Sequence, residues 1–199
     1  MDHKYLQELL TDLIRTWENE IIEFKEVGDS YSTSDIGKYF SAISNEANLR
    51  NKEKGWLVFG VNNKTRKVTG TDYRMEADRL QSLKMQIADD TEPGITFRNI
   101  HEIYINDKRV VMFEIPAAPK GIPISWKGHY YSRAGESLTS LGLDKLDEIR
   151  NQTKENDWSI KIVENATMDN LDKEALKRAR ESYFKKHANR FSNEEFESW

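Results

Sequence analysis

The apolar positions of the chain recur in two periods, and the switches between them mark out its elements. In HKYLQELLTDLIRTW, Leu6, Leu9, Leu10, Leu13 and Ile14 fall at helical spacing, which predicts an amphipathic helix. ENEIIEFKEV changes to period two, with Ile22 and Phe24 alternating against Glu23 and Lys25, as in a half-buried strand. GDSYSTS is a turn that ends in an N-cap for the next helix, at Thr33 or Ser34. That helix is the clearest of the chain: Ile36, Tyr39, Phe40, Ile43 and Ala47 lie along one stripe. WLVFGV is a nearly continuous apolar run, expected of a strand covered on both faces.

NNKTRKVTG reads as a turn and a short return strand, and MEADRLQSLKMQIADD, with Leu80, Leu83 and Ile87, as a helix stopped by Pro93 and Gly94. ITFRNIHEIYI and RVVMFEIP are strands joined by a hairpin turn at NDK. A Pro/Gly loop, AAPKGIPISWKG, leads to the short strand HYYSR and to the helix LDKLDEIRNQ. The order of elements predicts an α/β (α+β) domain over residues 1–153, a mixed β-sheet flanked by helices. From Lys154 the periodicity fades, and TKENDWSIKIVENATMDN reads as a linker. LDKEALKRARESYFKKH is a last helix capped by Asp169 or Asn170. Residues 154–199 are thus expected to be a linker and helical extension that leads into a further C-terminal region.

Composition narrows the chemistry. The chain has 199 residues, 37% hydrophobic and 32% charged, enough for a core under a polar surface. No run approaches the ~18 apolar residues of a membrane span, and MDHKYLQELL lacks the layout of a secretory signal, so a cytoplasmic location is expected. The absence of cysteine excludes disulfides, thiolate catalysis and Cys-type zinc sites. A net charge of -4 means that any nucleic-acid contact must rest on a local basic patch. The P-loop and G-x-G-x-x-G patterns are absent, as are H-E-x-x-H and G-x-S-x-G.

Two sets of residues carry candidate chemistry. Glu23 and Lys25, at i and i+2 on a strand, share a face. With Glu18 they supply the carboxylates and lysine that a metal-dependent nuclease needs, although an ordinary surface ion pair has the same spacing. The second set is basic. Arg50, Lys52 and Lys54 precede the apolar strand, and Lys64, Arg66 and Lys67 follow it. Lys120, Lys127 and Arg133 surround Trp126, Tyr130 and Tyr131, a mixture suited to phosphate contact and base stacking.

The ordered set of segments resembles the Schlafen AlbA-type (AlbA_2) domain of bacterial divergent-AAA and transcriptional-regulator-like proteins. In that family an E-x(4)-E-F-K strand, a helix ending in A-x-x-N, a strand with GV and two Asp or Asn, and a late YY-x-R-x-G-x-(S/T) follow in order. Here ENEIIEFKE, DIGKYFSAISNEAN, GWLVFGVNNKTRKVTGTD and GHYYSRAGESLTSL stand in the same order, from Glu18 to Leu141. The resemblance implies a mixed α/β fold and a role in binding DNA or RNA. Animal Schlafen proteins that cleave RNA use two glutamates spaced as Glu18 and Glu23, and an aspartate after the GV strand. This chain has Asn62 and Asn63 there, and an amide is a weaker metal ligand and cannot act as a base; Asp72, after VTGT, is a candidate substitute, though nothing in the sequence places it beside Glu23.

The leading expectation is a nucleic-acid-binding domain, with DNA favoured over RNA. Its phosphate contacts would be Arg50, Lys52, Lys54, Lys64, Lys67, Lys120, Lys127 and Arg133, and Tyr130 or Tyr131 would stack. The first alternative is a Mg²⁺- or Mn²⁺-dependent nuclease built on Glu18, Glu23 and Lys25. The second is a homo-oligomeric sensor that binds a protein or nucleotide.

Overall fold

The elements run in the order α1 (His3–Arg15), β1 (Ile22–Lys25), α2 (Thr33–Leu49), β2 (Lys54–Phe59), α3 (Ala77–Asp90), β3 (Thr91–Glu92), β4 (Asn99–Ile105), β5 (Lys108–Pro116), β6 (Ser125–Trp126), β7 (His129–Ala134), β8 (Ser137–Ser140), α4 (Leu143–Asn151) and α5 (Lys173–Lys186) in a computed structural model. It describes residues 3–16, 19–153, 167 and 170–187. Contacts divide the chain into two units, Met1–Asn156 and Asp157–Trp199.

In the first unit, one sheet has the strand order β1-β2-β5-β4, with β1 parallel to β2 and the other pairs antiparallel. The parallel pair needs a crossover, and α2 supplies it. Because side chains alternate along a strand, each face of this sheet builds its own core. Trp56 and Val58 of β2, with Ile22 and Phe24 of β1 and Met112 of β5, pack on Leu6, Leu10 and Leu13 of α1. Leu57 and Phe59, with Phe113 and Ile115, pack instead on Ile36, Phe40 and Ile43 of α2 and on Leu80, Leu83 and Ile87 of α3. Each such side chain, fully buried, contributes roughly 1.5–3 kcal/mol against leaving it in water. The unbroken apolar run of β2 reflects this two-sided burial.

The second sheet, of order β3-β6-β7-β8, is antiparallel and lies against α2. Trp126 of β6 approaches α2 so closely that a Cβ on Gly37 would sit 2.2 Å from its ring. The NDK turn forms as expected, with Asn106 and Asp107 both at positive φ (48° and 62°), the conformation of a tight two-residue hairpin. The return strand expected in NNKTRKVTG shrinks to one bridge, Val61 to Val68. The Asn62 side chain instead accepts from the amides of Lys64 (3.0 Å) and Thr65 (2.8 Å), a local turn that competes with strand pairing. The cap of α2 is Ser32, one residue before the expected Thr33 or Ser34: Ser32 is extended (φ -64°, ψ 123°) and its hydroxyl accepts from the Asp35 amide at 3.3 Å.

In the second unit α5 is capped by Asp172, whose carboxylate accepts from Glu174 and Ala175 at 2.9 and 3.1 Å. Of the two caps expected there, Asn170 instead receives the Thr167 amide at 2.8 Å, and Asp169 lies outside the described residues. The linker, residues 154–166, lies outside them too. No helix among the described residues is long and apolar enough to cross a membrane.

Candidate nucleic-acid interface

β1 is an outer strand, and its alternation sends Ile22 and Phe24 into the α1 core and Glu23 and Lys25 to the opposite face. There Glu23, 2% exposed, meets two cations. Its Oε1 lies 2.5 Å from the Lys25 ammonium, and its Oε2 pairs with the guanidinium of Arg133 on β7. Arg133 is fully buried and also donates to the carbonyls of Asn19 and Ile22, each at 2.9 Å, which fastens β7 to the start of β1. Two cations against one carboxylate leave this triad with one net positive charge. The Lys25 side chain, 24% exposed, is its outlet to solvent.

Aromatic rings surround that outlet. The Lys25 ammonium lies 4.8 Å from the centre of the Tyr39 ring, on which the Arg133 guanidinium also bears at 6.0 Å, a cation–π arrangement. Burial opposes the Lys25 charge, but the Glu23 carboxylate and the Tyr39 hydroxyl outweigh it and raise the pKa above the usual lysine value. Tyr31, packed edge-on against Phe59 at 5.1 Å, senses the charges of Lys25 and Glu23, and burial pushes its hydroxyl up to about 12. Lys38, one residue before Tyr39, is bonded to Asp35 at 2.9 Å and lies within electrostatic reach of Tyr131. Tyr31, Tyr39 and Tyr131 are all partly exposed.

Beside the triad is a second ionic group. Glu46, buried in α2, receives Lys145 of α4 at 2.5 Å and the Ser132 hydroxyl at 2.6 Å. Its other oxygen faces Arg50 at 3.5 Å, and Arg50 reaches Glu20 at 2.8 Å. This chain of charges braces α4 and β7 against α2.

The basic residues expected to contact phosphate fall in separate places. Arg50, Lys52 and Lys54 share one end of the first unit with Lys120, because Ala117 bonds to Glu53 and Asn48 holds the carbonyl of Ala118. Lys54 is occupied there by Glu114 at 2.8 Å. Lys64 and Lys67, both exposed, belong to the loop that follows β2, the other end of that strand. Lys127 sits on the β6–β7 turn, 3.3 Å from Asp90. Tyr130 packs against Leu141, Leu146 and Ile149, away from Tyr131. Arg133 is a correction: being fully buried and bonded to Glu23, it cannot meet a phosphate at the surface.

Sequence reading did not single out Tyr31 and Lys38, which the fold places near Lys25 and Tyr131, and took Tyr39 only as part of a helical stripe. The usable signal was the tyrosine at each end of SYSTSDIGKY, one before the cap and one after the first turns of α2. Of the groups a metal would need, Glu18 lies outside the described residues. Asn62 faces Glu26 at 2.5 Å, and the Asp72 amide bonds to Gly28. Among the described residues no cluster of three His, Asp or Glu is placed to hold a metal.

A family model described as Schlafen, AlbA_2 matches residues 18–142. Among solved structures, the chain is similar to the DIP2311 protein of Corynebacterium diphtheriae, at 16% identity and a TM-score of 0.49, over 96% of this chain and 36% of that one. It therefore spans about a third of that protein's length. It is also similar to the N-terminal domain of a RecG-related protein of Nitrosomonas europaea, at 21% identity and a TM-score of 0.43, over 68% of this chain and 92% of that one. No curated protein matches the chain.

Proposed function

The chain belongs to the Schlafen AlbA_2 family, and on that premise we propose that it is a nucleic-acid-binding domain whose ligand is DNA. The observation that carries the reading is the Lys25 ammonium, held at the rim of the Glu23–Arg133 pair and against the Tyr39 ring. A cation fixed in place beside aromatic rings suits a sugar–phosphate backbone and the bases attached to it. The exposed Lys52 and Lys120, at the C-terminal end of α2, and Lys64 and Lys67, after β2, add further positive charge for a longer ligand.

Nuclease chemistry is the weaker reading. Both oxygens of Glu23 are engaged by cations. To ligate a metal the carboxylate would have to give up one of them, leaving a buried arginine or the lysine without its partner.

The test is retention of labelled single- and double-stranded DNA and RNA on a gel, at low and moderate salt, with and without Mn²⁺. Salt-sensitive retention without cleavage, weakened in Lys25→Gln, is the expected result. Metal-dependent cleavage that disappears in a Glu23→Gln protein shown to be folded by circular dichroism would overturn it in favour of an enzyme.

A further inference from the structure

We propose that the Lys25 site takes a single strand, stacking its bases on Tyr39 and its neighbours Tyr31 and Tyr131 while Lys25 holds one phosphate. The inference rests on the nucleic-acid reading above and narrows its ligand class.

Charge is the first ground. The Glu23–Lys25–Arg133 triad carries one net positive charge, and Asp35 neutralises Lys38 at 2.9 Å, so the site offers compensation for one phosphate. Duplex binding draws its affinity from many phosphates at once. Here the cations that could reach further phosphates lie elsewhere, in the segments around Lys52 and Lys120 and around Lys64 and Lys67.

Ring placement is the second ground. The Lys25 ammonium and the Arg133 guanidinium bear on the Tyr39 ring at 4.8 and 6.0 Å, and Tyr31 is held by its edge contact with Phe59 at 5.1 Å. Tyr131 is anchored by its own backbone, whose amide donates to Ser41 at 3.1 Å and whose carbonyl accepts from Asn45 at 3.0 Å. All three tyrosines are packed in part against the core of α2 and exposed in part, so little rotamer freedom is lost when a ligand covers them. Bases inside a duplex are already stacked and present only their edges, whereas an unpaired base offers its face to a ring. The Tyr31 hydroxyl, like that of any tyrosine at neutral pH, is protonated and can donate a hydrogen bond.

The experiment uses the full chain and an oligothymidine carrying one 2-aminopurine, compared by fluorescence anisotropy with a blunt duplex of the same length. The single strand should bind at least about tenfold more tightly, and the fluorescence of the 2-aminopurine should be quenched on binding. The logarithm of the affinity should fall with the logarithm of salt with a slope of about -0.7, one phosphate's worth for a single strand. Tyr39→Ala, checked for folding by circular dichroism, should lose about tenfold. Equal or tighter binding of the duplex, or single-strand binding without quenching, overturns this inference and leaves the nucleic-acid reading standing. Failure to bind either ligand overturns both.

Discussion

Glu23 and Arg133 lie 110 positions apart in sequence and form a buried ion pair that ties the first strand of the domain to the seventh. Each belongs to one of the ordered segments by which the family is recognised. The pair therefore gives a physical reason for those segments to occur together: one supplies a buried carboxylate and the other the cation that makes its burial tolerable.

Removing one partner should be costly. Arg133→Met leaves Glu23 with Lys25 alone and strips the carbonyls of Asn19 and Ile22 of their donor. We expect a loss on the order of 3–5 kcal/mol in urea unfolding, with a similar loss for Glu23→Gln. The double variant Glu23→Gln/Arg133→Met should lose clearly less than the sum of the two, because neither charge is then stranded. Additive losses would show that the two side chains act independently.

Acid stability should depend on a different carboxylate. Burial would raise the pKa of Glu114, but hydrogen bonds from Lys54, Asn99 and His101, together with the Lys54 charge, bring it from the ordinary 4.5 down to about 2. A carboxyl whose pKa is depressed by folding stabilises the fold above its unfolded pKa, and that contribution disappears as pH falls through the folded value. Stability should therefore drop between about pH 4.5 and 2, by up to about 3 kcal/mol from this group. Chemical denaturation across that range should give a shallower fall for Glu114→Gln than for the parent.

Gly37 sits inside α2, where alanine would ordinarily be worth up to about 1 kcal/mol more than glycine. Its Cβ would lie 2.2 Å from the buried Trp126 ring. Gly37→Ala should accordingly destabilise, by about 1–3 kcal/mol in thermal or urea unfolding, rather than stabilise. A gain in stability would mean that β6 stands further from α2 than described.

Binding should distinguish one lysine from another. Lys25→Gln removes the charge at the rim of the triad and should weaken oligonucleotide binding about tenfold, the order expected of a contact to a charged group. Lys127, already facing Asp90 at 3.3 Å, should tolerate Lys127→Gln with less than about a twofold change in anisotropy titrations.

Much of the fold was legible because burial leaves a period. The apolar run of β2, the alternation of β1 and the stripe of α2 each name their elements, and the NDK turn fixes the β4–β5 hairpin. The second sheet was mostly hidden. β3 and β6 are two residues each and β8 is four, too short to show a period; β6 and β8 exist because β7 and α2 give them something to pair and pack against, and β3 because it pairs with β6 beside α3. The site was half legible. Glu23, Lys25 and Tyr131 stood out by residue type and spacing, but whether a cation is buried or exposed depends on what the opposite element supplies. Arg133 looked like a surface base for that reason, and Lys145 drew no attention although it reaches Glu46 from 99 residues away.

The most direct test of the binding site is amide chemical-shift mapping of the ¹⁵N-labelled chain titrated with a short single-stranded DNA. The largest shifts should cluster at Lys25, Tyr31, Lys38, Tyr39 and Tyr131, and in Lys25→Gln should need about tenfold more ligand to saturate. Shifts confined to the loop of Lys64 and Lys67 or to the segments of Lys52 and Lys120, with the tyrosines unmoved, would contradict the assignment of the interface to the edge of β1.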